Sequence, residues 1–349
     1  MNANRMPLID AFKAIASQLI VLHHLAAYGP LVGAAQEVAP GTIGWFYDYA
    51  RIAVQVFLVV AGFLAARAMS PQGGALAGSP WPLIAKRYVR LAIPYFVAIA
   101  LAVAGAALAR VWMNDEAIPA PPTLAQLAAH ALLLQSVLGF DSLSAGLWYI
   151  AIDFQLFALM TLLLWAGRLG GGAPVLVLAM AAAALFWFNR NENLDNWAIY
   201  FFGSYGLGAA AWWAGDRRRL SAWAAVVTCL AIAALVIDFR LRIAVALAVA
   251  MALAFSQRSG LLESWPEWPV LAFLGRISYS LFLVHFPICL LANALFVRLG
   301  LSAPGVALAF MALAWGASIA VATLFYRWVE KPAASGRIAA ALGLAVSKA

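Results

Sequence analysis

The sequence predicts an all-α polytopic integral membrane protein, with about ten transmembrane helices and an extra re-entrant or surface helix. Two observations carry that fold class. Of 349 residues, 66% are hydrophobic and 10% charged, with a mean hydropathy of +0.91, which leaves too little polar material to cover a water-facing surface. The apolar residues also come in runs about one bilayer long, rich in Ala and Leu, rather than alternating with polar ones, which argues against an outer-membrane barrel. The two cysteines, Cys229 and Cys289, both lie in apolar runs, suggesting neither a disulfide framework nor a metal site.

Stretches of roughly 17–25 mainly apolar residues occur near 8–28, 45–69, 88–112, 145–166, 173–188, 197–214, 220–237, 241–256, 270–298 and 304–328. The first resembles a signal peptide in position, but Asp10, Lys13, His23 and His24 interrupt it and no cleavage site follows, so it is expected to be retained. Residues 124–140 are apolar enough to span, yet they carry Gln126, His130 and Gln135 and follow the breaker Pro119, Pro121, Pro122. If they do not cross and the amino terminus is cytoplasmic, fifteen Lys and Arg fall inside against five outside, namely Arg110, Arg190, Arg240, Arg242 and Arg298. An eleventh crossing would put Arg217, Arg218 and Arg219 outside, against the positive-inside rule. Residues 124–140 therefore read as the re-entrant or surface helix. Residues 1–332 form one membrane-embedded domain and 333–349 a short cytoplasmic tail.

Ionisable groups inside spans are costly unless paired or facing a wet cavity, so each is a functional candidate. Lys13 and His24 are eleven positions apart, which on a helix returns to within ~20° of the same face after ~16 Å of rise. The plainer alternative is that Lys13 snorkels to the interface while His24 bonds a neighbouring helix. By residue count, His24, Asp153 and His285 each fall ~6–9 Å inside the outer end of their spans and share one layer. A buried carboxylate beside an imidazole would orient it as a general base for a hydroxyl, and His24 with Asp153 fits that description. The alternatives are a structural donor, such as Arg51, for Asp153, and for His285 a carbonyl freed by the kink at Pro287. Arg87 and Arg90, one turn apart before Pro94, suit phosphates by bidentate geometry; they also suit a positive-inside anchor. Arg217–Arg219 reads as such an anchor. Trp212, Trp213, Trp265 and Trp268 read as interface belts.

In this order the segments resemble membrane-bound acyltransferase family 3, whose members move acyl groups onto sugars and other hydroxyl-bearing acceptors. The resembling blocks are Asp10, Lys13 and His24, with Lys where Arg is usual; Val56 to Leu64, with Ala61 in place of Ser; and Arg87, Arg90 and Pro94. They continue with Leu147 to Phe157, where Asp153 replaces Glu; Ile277 to Pro287, containing His285; and Tyr326 to Pro332, containing Glu330.

The resemblance implies an enzyme that takes acetyl from acetyl-coenzyme A (acyl-coenzyme A) on the cytoplasmic side, with Lys13, Arg87 and Arg90 near its phosphates and no metal. His24, Asp153 and His285 would be catalytic, and Trp148 and Tyr279 would contact substrate. It also implies a carbohydrate or glycoconjugate acceptor arriving from the outer side and a multi-pass place in the inner (cytoplasmic) membrane. No Ser or Cys stands in a nucleophile's motif, which favours direct transfer over an acyl-enzyme, and the charge count puts both termini in the cytoplasm. The segment 113–144 would cover the acceptor, and the chain would either finish the transfer alone or hand over to a separate extracytoplasmic protein. The partners are thus coenzyme A, the acceptor and the lipid bilayer, with no nucleic acid. Two rivals are a proton-coupled transporter or channel using the same His, Asp and Arg groups, and a scaffold without catalysis.

Overall fold

A computed structural model describes residues 6–170, 172–215 and 221–335; the Arg217–Arg219 cluster and positions 336–349 of the expected tail lie outside them. The structure is 80% helical, and no strand occurs among the described residues. In chain order the helices are α1 (Pro7–Ala27), α2 (Pro30–Gln36), α3 (Pro40–Tyr49), α4 (Val54–Met69), α5 (Trp81–Trp112), α6 (Leu124–Ala131), α7 (Leu147–Ala166) and α8 (Ala173–Phe186). There follow α9 (Ala198–Gly215), α10 (Ser221–Ile237), α11 (Leu241–Ser259), α12 (Leu261–Ser264), α13 (Pro269–Arg298), α14 (Pro304–Phe325) and α15 (Lys331–Ala334), with a π-helical turn at Tyr326–Glu330.

Among the described residues, eight helical stretches are long and apolar enough to cross a membrane: α1, Pro40–Met69, α5, Leu147–Leu169, Ala173–Arg190, α11, α13 and Pro304–Ala334. The two other expected spans, near 197–214 and 220–237, are helices α9 and α10. Helix α9 is buried along nearly its whole length, Gly203, Ser204, Tyr205, Gly206 and Gly208 included. A helix wrapped by other helices rather than by lipid can carry small and polar residues, which is why it reads as less apolar.

The expected helix 124–140 is shorter. Helix α6 stops at Ala131, a rise of ~12 Å against a ~30 Å hydrocarbon core, so it does not cross. Leu133 adopts φ 56°, a left-handed conformation that no continuing helix accepts. The Thr123 hydroxyl caps the start of α6 by accepting from the Gln126 N–H at 3.1 Å. His130 closes the far end: Nδ1 lies 2.9 Å from the Gln126 carbonyl, and Nε2 accepts from the Leu143 N–H at 3.2 Å.

The chain divides into two compact units. The first comprises Met1–Lys13, Val54–Arg87 and Ile152–Ala272. In it, α9 packs against α4, α8 and α11, around Val59, Val60, Phe63, Leu207, Ala250 and Leu253. The α4–α9 approach is backbone to backbone. A Cβ built at Gly62 would stand 1.9 Å from the Tyr205 carbonyl oxygen, and one at Gly208 1.9 Å from that of Val59, the small-residue contact that draws helices together where lipid supplies no hydrophobic drive.

The second unit comprises Ala14–Ala53, Tyr88–Ala151 and Phe273–Ala349. Ala106, Ala109 and Met113 of the α5 end meet Phe286, Leu290 and Ala294 of α13, with Tyr28 packed on them. Pro94 and Pro287 both sit inside their helices. Gly29, at φ 82°, turns the chain between α1 and α2 against Asn293.

Candidate functional site

In the second unit, α1 and α13 bring two imidazoles together. His285 Nε2 lies 2.9 Å from His24 Nδ1, the ring centroids 4.8 Å apart at 37°. His285 is fully buried, whereas His24 keeps 7% of its surface exposed. Tyr28, one turn after His24, stacks on its ring at 5.7 Å, and Phe286 meets it edge-on at 6.3 Å. The other ring nitrogen of His285 is 2.9 Å from the Leu281 carbonyl, one turn back in its own helix. Pro287 deprives the Leu283 carbonyl of its helical donor, so the carbonyl that His285 engages is not the one freed by the kink. His23 turns away, its Nδ1 3.2 Å from the Phe46 carbonyl and its ring against Tyr47.

Two further contacts hold this pair, and neither was anticipated from the sequence. Asn293 donates to the carbonyls of Cys289 and Tyr28 at 2.9 and 3.3 Å and accepts from the Leu31 N–H at 2.9 Å, which ties the end of α1 to α13. The signal was a lone amide in an apolar stretch of helix. Ser280, fully buried, donates to Glu330 at 2.5 Å, so the closing block of the sequence clasps α13 five residues before His285. Tyr279 donates to the Leu91 carbonyl at 3.4 Å. Trp148 stands edge-on to Tyr149, whose ring is 5.0 Å from Phe282, itself 6.1 Å from the His285 ring.

In the first unit, the guanidinium of Arg87 donates to the Asp153 carboxylate and lies over the Phe157 ring, 5.3 Å from its centroid. Asp153 was expected to orient His24; its hydrogen-bonding partner is Arg87, and the ring bonded to His24 is His285. The reason is chemical: a buried carboxylate is stabilised more by a full positive charge with two-pronged donors than by a neutral ring. Lys13 pairs with Asp10 one turn before it, at 3.2 Å. Arg90, in the second unit, is exposed. The indoles of Trp212 and Trp213, expected as an interface belt, donate to the carbonyls of Pro71 and Ser70 at 3.0 and 2.8 Å and so anchor the α4–α5 connection.

Two ring nitrogens 2.9 Å apart share one proton between them: one donates, the other presents a lone pair. The buried pair therefore holds proton-accepting capacity inside the helix bundle, with Tyr28, Phe286 and His23 around it, an arrangement suited to taking a proton from a hydroxyl. A family model described as an acyltransferase domain matches residues 7–327. The chain belongs to acyltransferase family 3. No curated protein and no solved structure matches it. Membership in acyltransferase family 3 makes the chain a membrane acyltransferase, and the matched residues take in Lys13, His24, Arg87, Arg90, Asp153 and His285.

Proposed function

We propose that this membrane acyltransferase is an O-acyltransferase: it moves an acetyl group from cytoplasmic acetyl-coenzyme A to a hydroxyl of an extracytoplasmic carbohydrate or glycoconjugate, with His24 as general base. The observation that carries this reading is the buried hydrogen bond between His24 and His285. An imidazole hydrogen-bonded to a second imidazole, with no carboxylate among its hydrogen-bond partners in the described residues, is equipped to accept a hydroxyl proton rather than to neutralise a carboxylate.

The step balances with these groups. As the acceptor oxygen attacks the thioester carbonyl carbon, His24 takes its proton; the C–O bond forms, the C–S bond breaks, and the leaving thiolate recovers the proton from His24 as coenzyme A thiol. Arg90 is proposed to contact the phosphates of the donor, whereas Lys13 and Arg87 share their charges with Asp10 and Asp153. Trp148 and Tyr279 are proposed contacts for substrate, and both termini are proposed to face the cytoplasm.

The test is radiolabel transfer. Membrane vesicles bearing the chain, given acetyl-coenzyme A labelled in the acetyl carbonyl, are expected to incorporate label into base-labile ester. His24→Ala is expected to lower this by about 100-fold or more while the protein still inserts. Undiminished incorporation in that variant would remove the proposed base, and preference for a longer acyl donor would replace acetyl.

A further inference from the structure

The geometry points to His285 as a positioning residue that dictates which nitrogen of His24 is the base. This rests on the proposed general-base reading of His24, and assigns the reactive atom within it as Nε2. The argument starts at a backbone carbonyl, because an oxygen of that kind accepts and never donates. His285 Nδ1 stands 2.9 Å from the Leu281 oxygen, so Nδ1 must carry the proton; a bare Nδ1 there would set two lone pairs against each other in a low-dielectric interior. In a neutral imidazole, a proton on Nδ1 leaves Nε2 bare. That bare nitrogen is the one 2.9 Å from His24 Nδ1, so His24 Nδ1 carries a proton in turn, and its own lone pair is left on Nε2.

The order is therefore Leu281 carbonyl, His285, His24, with each proton pointing back toward the carbonyl and one lone pair at the open end. His285 has both nitrogens committed and is fully buried, while His24 keeps the exposed fraction; it is His24 that meets substrate. When Nε2 takes the acceptor's proton, the new positive charge is shared along the same hydrogen bond, since His285 Nε2 already accepts from His24 Nδ1–H. Helix α13 builds this device locally: the Nδ1-to-carbonyl contact spans one turn, i to i−4, and the clasp of Ser280 by Glu330 at 2.5 Å holds the preceding turn.

Two measurements test it. In the full chain, labelled with 15N at its four histidines and reconstituted into lipid vesicles, solid-state NMR reads each tautomer without any activity. Both His24 and His285 are expected to be protonated on Nδ1; a His24 ring with its proton on Nε2 and Nδ1 bare would overturn the assignment. In label transfer, His285→Leu removes the acceptor for His24 Nδ1–H and is expected to lower kcat by about 100-fold with KM for acetyl-coenzyme A unchanged. His285→Gln, whose amide oxygen can accept the same proton, is expected to restore most of that loss. Wild-type kcat in His285→Leu, or a Gln variant no better than Leu, would overturn the positioning role. If His24→Ala alone leaves transfer intact, the general-base reading fails, and the NMR result still decides the tautomer.

Discussion

Arg87 and Asp153 form an ion pair in which the carboxylate side chain is 8% exposed and the guanidinium side chain 27%. Phe157, one turn beyond Asp153 on α7, lies beneath the same guanidinium, so two residues of one helix face hold a single Arg of another. The carboxylate is the more buried member, and removing its partner leaves a charge with little water to replace it.

The pair is expected to behave non-additively. Asp153→Ala and Arg87→Ala should each destabilise by about 2 kcal/mol, less than a fully buried pair because Arg87 remains partly wet. The double variant should fall short of their sum by roughly 1 kcal/mol. Unfolding of detergent-solubilised protein measures this, and strict additivity would mean the two do not support one another.

Enlarging the α4–α9 contact should be severe. Gly62→Val places atoms where the Tyr205 carbonyl already stands, an overpacking that costs about 1–3 kcal/mol or more when backbone must move. Gly33→Ala, where a Cβ meets nothing within 4 Å, serves as the control and should leave the melting temperature unchanged or slightly raised.

His130 should make stability pH-dependent. Burial lowers its pKa below the ordinary 6.5, partly opposed by the Gln126 carbonyl, and its Nε2 must stay bare to accept from Leu143. The folded state thus binds the proton less readily than the unfolded one, so the stabilisation is complete above pH 6.5 and is lost as pH falls below it. Unfolding curves between pH 7.5 and 5, taken roughly at half-unit steps, should show this fall, and His130→Asn should flatten it; an unchanged slope would sink the assignment.

Asn293→Leu keeps the branching of a buried side chain but abandons the Tyr28 and Cys289 carbonyls and the Leu31 N–H. A loss of about 2 kcal/mol is expected. Because Tyr28 stacks on His24, label transfer should fall as well, read as kcat in the vesicle assay at a temperature where the variant is folded.

Arg90→Ala should weaken coenzyme A binding about tenfold, the worth of one charge-assisted contact, with little change in melting temperature. Unchanged affinity by calorimetry would return Arg90 to a role in topology.

Much of this protein was legible before its structure. Bilayer-length apolar runs are a property of each segment alone, so the helical membrane class followed from composition and run length. The ordered blocks around His24, Arg87, Asp153, His285 and Glu330 led to the family. Residues 124–140 were read as non-crossing from charge distribution; that the helix ends at Ala131 depended on the backbone of Leu133, which hydropathy does not encode.

What only the tertiary structure decided is who bonds to whom. A carboxylate inside a membrane demands a partner, and on paper His24, Arg51 or a Trp N–H answered that demand, while Arg87, the partner it has, read as a phosphate contact or an anchor. Hydropathy is additive over neighbouring residues, whereas a hydrogen bond between rings 261 positions apart exists when two helix faces meet at one height and angle. That is why the apolar runs announced the fold, while the His24–His285 pair, and with it the place of the free lone pair, emerged from packing.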